Sequence, residues 1–110
     1  VSILFAGVDE DEEAKLFATE PSGIFFQYKA TAVGEGEVEV NSILDKEYKD
    51  SIDLEEGFRL AIKSFKKVLG KNFDVNRLSG AYIKKIDKKF IKVDMNYIRK
   101  LSKWLILIKL

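Results

Sequence analysis

Apolar residues run without a break from Val1 to Val8, stop at five successive acids, Asp9-Glu10-Asp11-Glu12-Glu13, and resume at Ala14–Thr19. An unbroken apolar run bounded by charge is the pattern of a strand covered on both faces. Both runs are therefore predicted as strands, joined by a solvated acidic connection. Contiguous carboxylates lack the alternate spacing of a calcium loop, so this connection is not read as a metal site. Glu20-Pro21-Ser22-Gly23 has the proline and glycine of a turn. Ile24–Val33, rich in aromatic and β-branched residues, is predicted as a long third strand. Gly34-Glu35-Gly36 ends it. Two glycines can cradle a phosphate, but Glu35 repels one and no P-loop lysine follows, so a strand-to-helix bend is expected.

The spacing then changes from two to about 3.6. Val40, Ile43, Leu44 and Tyr48 predict a short helix over 37–49. Asp53-Leu54-Glu55-Glu56 has the form of a capping box. Phe58, Ala61, Ile62, Phe65 and Leu69 mark the apolar face of a second helix that ends at Gly70, with Arg59, Lys63, Lys66 and Lys67 on its wetter side. Lys71–Asn76 is expected to be a loop. Leu78–Ile86 and Phe90–Val93 form a predicted hairpin around Asp87-Lys88-Lys89. A last helix is expected from Asp94, its cap, to the end, with Met95, Ile98, Leu101, Leu105 and Ile108 as its stripe, widened by Trp104, Ile106, Leu107 and Leu110. The order βββ-αα-ββ-α describes an α+β fold of mostly antiparallel sheet with helices packed outside.

Composition narrows the chemistry. The 110 residues allow one small domain, and 46% hydrophobic and 34% charged residues with one proline are those of a globular chain. Without cysteine there are no disulfides or thiolate metal sites; without histidine, a Ser-His-Asp triad is excluded within this chain. No window approaches the roughly 20 apolar residues of a membrane span. The opening on Val1, directly in a buried-type strand, reads as a piece of something longer. The net charge of +1 is unevenly spread. Residues 1–57 hold 15 acids and 4 bases, net −11; residues 58–110 hold 3 acids and 15 bases, net +12. Internal compensation on a solvated surface is the expected use of that split.

Several segments, in order, resemble archaeal proteasome α subunits. Val1-Ser2-Ile3-Leu4-Phe5-Ala6-Gly7-Val8-Asp9 is similar to their Val-Ser-Leu-Leu-Ile-Ala-Gly-Val-Asp strand. Leu16-Phe17-Ala18-Thr19-Glu20-Pro21-Ser22-Gly23 looks like their Leu-x-Glu-Thr-Asp-Pro-Ser-Gly hairpin, and Tyr28-Lys29-Ala30-Thr31-Ala32-Val33-Gly34 like their Tyr-Lys-Ala-Thr-Ala-Ile-Gly. Glu47-Tyr48-Lys49 and Asp53-Leu54-Glu55-Glu56 match the end of one helix and the start of the next. The resemblance runs from Val1 to about Ile98. It implies residues 1–110 as the C-terminal part of a single Ntn-hydrolase-like domain, an αββα sandwich when complete. The implied role is a non-catalytic structural subunit of the core particle's heptameric α ring, controlling substrate entry in ATP-dependent protein degradation in the cytoplasm. Implied partners are other α subunits, β subunits, a regulatory ATPase and an N-terminal half of the same domain. No catalytic, cofactor-binding or metal residue is expected, and no nucleic acid or membrane partner.

Two alternatives stand beside this reading. Catalytic β subunits use an N-terminal threonine whose own amine is the base, and they carry serine between the two glycines and an Asp-x-x-Ser-Gly loop. Here Val1 opens the sequence, Glu35 lies between the glycines, and Asn76 stands at the aspartate position before Ser79-Gly80. The second alternative is a basic nucleic-acid-binding module. Lys84, Lys85, Lys88, Lys89 and Lys92, interleaved with Tyr82 and Phe90, have that composition, as does an edge hairpin kept soluble by lysine. One departure from the family is the apolar ending Trp104-Leu105-Ile106-Leu107-Ile108-Lys109-Leu110, expected to pack on the body or on a neighbouring subunit.

Overall fold

The computed structural model describes residues 3–10 and 14–101. β1 (Leu4–Val8), β2 (Ala14–Thr19) and β3 (Phe25–Tyr28) form an antiparallel meander in the order β1-β2-β3. Leu4 faces Ala18 and Val8 faces Ala14 across the first pair; Leu16 faces Tyr28 across the second. The turn after β2 closes on a Gly23 to Glu20 backbone bond of 2.9 Å, with Gly23 at φ 89°. Helices α1 (Glu37–Glu47) and α2 (Leu54–Leu69) follow. Two short 3₁₀ turns, Gly70–Asn72 and Val75–Arg77, occupy the stretch expected to be loop. β4 (Ala81–Ile83) and β5 (Phe90–Lys92) form a separate antiparallel hairpin, and residues 95–101 begin helix α3. The α+β content and antiparallel pairing agree with the sequence reading; residues 102–110, including Leu105 and Ile108, lie outside the described residues.

α2 starts and stops where its chemistry dictates. Asp53 Oδ1 accepts the Glu56 amide hydrogen at 2.8 Å, satisfying an otherwise orphaned donor of the first turn. Gly70 ends it at φ 53°. Its inward face builds the core: Ile62, with Ile98 and Leu101 of α3, is almost fully buried, and Phe58, Phe73, Val75, Leu78, Val93 and Met95 close around them. Burying such side chains contributes about 1.5–3 kcal/mol each. Phe58 meets Tyr82 and Tyr97 edge-on, at centroid distances of 6.3 and 6.1 Å. Phe65 and Leu69, expected on the same face, are instead over two-fifths exposed, lining an open cleft beside the 3₁₀ turns.

Three sequence expectations are corrected. The first strand is not covered on both faces: Ile3, Leu4 and Phe5 are all exposed, because no layer packs over them among the described residues. The third strand ends at Tyr28 rather than Val33. Past the strand, Asn41 holds Ala32: its Oδ1 accepts the Ala32 amide hydrogen at 2.9 Å while its Nδ2 donates to the Ala32 carbonyl at 3.2 Å. That side chain takes the backbone groups a neighbouring strand would need. The second hairpin is also shorter than predicted, because residues 84–89 form its turn: the Lys88 amide bonds the Lys84 carbonyl at 2.9 Å.

Candidate functional site

The Gly34-Glu35-Gly36 bend leads into α1. Gly34 and Gly36 have φ values of 105° and 80°, a region that glycine enters without steric cost. Glu37, in the first helical turn, reaches back with Oε2 to accept the Gly34 amide hydrogen at 3.0 Å. A Cβ on Gly36 would stand 3.0 Å from Val68 Cγ1, so glycine also lets the start of α1 approach the end of α2. Both glycines thus serve helix entry and packing. Glu35 is exposed between them and puts no hydroxyl at this position.

Asn76 lies within the second 3₁₀ turn, and Ser79-Gly80 between that turn and β4. Asn76 Oδ1 accepts from Arg99 Nη2 at 2.7 Å, tying this loop to α3. Its amide hydrogen goes to Asp74 Oδ1 at 3.0 Å. A Cβ on Gly80 would lie 3.2 Å from Phe58 Cε1, and its carbonyl accepts the Val93 amide hydrogen at 2.8 Å. The glycine is required by the core, not by a catalytic loop. Elsewhere, Thr19 exchanges hydrogen bonds with the Ile3 backbone, Thr31 donates to Asn41, and buried Ser64 donates to the Leu60 carbonyl at 2.8 Å. These three hydroxyls are directed at backbone or amide groups rather than at a base, the pairing that activates a nucleophile.

The basic hairpin separates its aromatics. Tyr82 turns inward onto Phe58, with Lys84 Nζ 6.0 Å from its ring centroid, whereas Phe90 is 70% exposed. Stacking on successive bases needs a row of outward rings, and the hairpin presents a single outward ring, Phe90. Lys84, Lys85, Lys89 and Lys92 point to solvent, while Lys88 Nζ reaches the Glu10 carbonyl at 3.2 Å.

The β1–β3 meander leaves apolar surface uncovered among the described residues. Phe5, Ile24, Phe25 and Phe26 of the β1–β3 meander are each about half exposed or more, with Phe17 against Phe25 and Phe26 against Tyr28 as edge-on pairs. By the strand register Phe5, Phe17 and Phe25 share one face of the sheet and Phe26 and Tyr28 the other, and exposed apolar surface of this kind marks an interface. A cleft of about 410 Å³ opens between β1–β2 and β4–β5, walled by Ala6, Val8, Ala14, Tyr82, Ile83 and Phe90. Among the described residues no group of three acids is placed to hold a metal ion, and no helix is long and apolar enough to cross a membrane.

Charges are paired at the surface. Lys63 pairs with Glu47 between the two helices, Arg59 with Glu55 one turn apart, and Lys29 with Asp50 at 2.8 Å. The hydrogen bond and charge of Asp50 raise the Lys29 pKa above its ordinary 10.5. Sequence reasoning missed Asn41, Arg99 and the Lys29–Asp50 pair. Their partners lie 9 to 23 residues away, and none leaves a periodic signal.

Residues 1–83 match the family model described as proteasome subunit. The chain is 42% identical over 101 residues to a proteasome subunit alpha of Methanocaldococcus jannaschii, covering 92% of this chain and 38% of that protein. It is 39% identical over 99 residues to the Pyrococcus horikoshii proteasome subunit alpha, covering 90% and 37%. With proteasome subunit alpha type-2 of Saccharomyces cerevisiae it shares 35% identity over 83 residues, covering 76% and 33%. The chain therefore spans less than two-fifths of the length of these relatives.

Proposed function

Since the chain belongs to the proteasome subunit family, we propose that it is of α type, a non-catalytic structural part of the core particle's α ring. In that role it helps to control entry of unfolded polypeptide for ATP-dependent degradation. The observation that carries this reading is the likeness to α subunits across up to 92% of the chain. The site geometry supports it: Glu35 and Asn76 stand where catalytic relatives carry a serine and an aspartate, and Asn76 is engaged by Arg99. Neither the threonine-peptidase alternative nor a nucleic-acid module is favoured, the latter because Tyr82 packs edge-on against Phe58 and leaves Phe90 as the one outward ring of the hairpin.

In this reading residues 1–110 are the C-terminal part of one Ntn-hydrolase-like αββα domain. An N-terminal half covers the exposed β1–β3 face, and the complete domain works in the cytoplasm beside other α subunits, β subunits and a regulatory ATPase. The exposure of Phe5 and Phe25, which share one face of the sheet, supports a missing layer, because such a surface left in water promotes association. The test is co-expression with a fragment corresponding to the N-terminal half of an archaeal α subunit. Alone, the chain is expected to be poorly soluble or to bind hydrophobic dyes; with the fragment it becomes a well-folded complex that joins rings with β subunits and hydrolyses no peptide by itself. A cooperative melt with dispersed amide resonances from the isolated monomer would overturn the part-domain reading. Fluorogenic-peptide hydrolysis blocked by a threonine-directed inhibitor would overturn the α-type one.

A further inference from the structure

A cleft of about 530 Å³ opens between the α1–α2 connection, the first turns of α2 and β4. Tyr48, Ile52, Leu54, Phe58, Ala61 and Ile83 make its walls apolar, and Lys84 and Lys85 stand at its exposed edge. Such a volume and lining suit a binding pocket, in which apolar walls supply affinity and a few polar groups fix orientation. Leu54, at the mouth, is over two-fifths exposed. No residue of β1–β3 lines the cleft, so it does not depend on the face that the N-terminal half is proposed to cover.

Two features of this cleft are not demanded by the fold. Gly57, inside α2, also lines it. Glycine in a helix interior is destabilising relative to alanine, yet a Cβ built on Gly57 would meet nothing within 4 Å. Packing within the chain therefore does not require glycine; what glycine provides is an open floor. The second feature is charge. Lys84 and Lys85 form no ion pair among the described residues, and Lys84 Nζ lies 6.0 Å from the Tyr82 ring centroid. The Lys88 amide to Lys84 carbonyl bond of 2.9 Å holds their turn in shape. The one acid of the lining, Asp53, is engaged as the helix cap by the Glu56 amide.

We propose that this cleft is a docking site for an acidic protein segment, which inserts one large apolar side chain between α2 and β4 while its flanking carboxylates meet Lys84 and Lys85. Charge decides the class of partner. Apolar walls alone fit any hydrophobic group, but two lysines without a counter-charge at the edge favour a carboxylate-bearing segment, and such complementarity steers association and selects the partner. A concave cleft admits a side chain, whereas a flat membrane surface cannot fill it. Nucleic acid binds by stacking on free aromatic rings, and Phe58 is already engaged by Tyr82 and Tyr97. The inference stands apart from the ring assignment, since it needs only residues of this chain.

The test follows fluorescence anisotropy of a labelled Glu-Asp-Trp-Glu-Asp peptide titrated with the folded chain, held in its complex with the N-terminal-half fragment or, should the monomer fold by itself, as the monomer. Which of those forms is soluble bears on the part-domain reading; peptide binding bears on the cleft alone. Saturable binding is expected, weakening at least ~3-fold as the screening length falls from about 10 Å at 0.1 M salt to about 3 Å at 1 M. Serine in place of the peptide's tryptophan should weaken it at least ~10-fold, as should Lys84→Glu combined with Lys85→Glu. Gly57→Leu puts a better helix former in α2 and fills the floor, so binding should fall at least ~10-fold with no loss in thermal midpoint. The absence of saturable binding, a Lys-Lys-Trp-Lys-Lys peptide that binds as tightly, a serine peptide that binds as well, binding unchanged by Gly57→Leu, or displacement by an equal concentration of oligothymidylate overturns the proposal.

Discussion

Phe25 and Ile62 are both large apolar residues in regular elements, yet Phe25 is 64% exposed and Ile62 only 4%. Around Ile62, α2 and α3 pack face to face and the 3₁₀ turns and Val93 seal the sides. Around Phe25, the meander pairs its backbone completely enough to persist but offers its side chains to water. Hydrogen bonding and hydrophobic burial are thus separable: strand pairing satisfies the backbone, while burial needs a second layer. The helical region has its second layer within the chain, and the meander does not among the described residues.

The largest expected effect breaks the contrast from the buried side. Leu101→Ala removes a fully buried side chain and leaves a cavity, costing about 2–5 kcal/mol, read as faster amide exchange along α2. Phe25→Ala in the same chain should stay within about 0.5 kcal/mol, as surface substitutions do. Once a partner layer covers the meander, its cost should rise towards that of Leu101→Ala. Equal costs in the isolated chain would show that the two regions do not differ in packing.

A smaller effect sharpens the comparison at its helical edge. Asp53→Ala removes the cap of α2, which supports the core through Phe58 and Ile62. It should destabilise by about 1 kcal/mol, with Asp53→Ser recovering most of the loss in thermal unfolding. A loss confined to fraying of the first turn, with no change in the core's exchange rates, would separate the cap from the core.

The smallest effect lies on the side of the meander. Lys29, just past β3, pairs with Asp50, and its pKa is raised above 10.5 by that partner's hydrogen bond and charge. A raised folded-state pKa stabilises below the unfolded value, and the contribution is lost as pH rises through the folded one. The pair should therefore help at neutral pH and fade only in strongly alkaline solution. Exposure keeps the effect slight, so Asp50→Asn should abolish a small alkaline step in stability and little else.

Much of this was legible in residue order. Asp53 and Gly70 bracketed α2, Pro21 and Gly23 marked the first turn, and the Gly34–Gly36 bend opened α1, each by local chemistry. The motif segments from Val1 to Lys49 pointed to the α-subunit relatives. The length of β3 was not legible. Ile24–Val33 has strand composition throughout, and only the fold brings Asn41 to Ala32 to hold its amide and carbonyl past the strand. The interleaved lysines and aromatics of the second hairpin were equally ambiguous until Tyr82 was seen to pack on Phe58.

The sequence by itself determined what depends on neighbours a few residues away: helix caps, glycine turns, the period of each element, the absence of histidine and cysteine, and the order of family segments. Tertiary structure alone decided which apolar faces are covered, where Lys88 reaches, and that Asn76 is held by Arg99 rather than standing as a loop polar group. The physical reason is range. Propensity and capping act over one turn, whereas burial and electrostatic contact depend on groups brought together from distant parts of the chain, and no local pattern encodes which groups those will be.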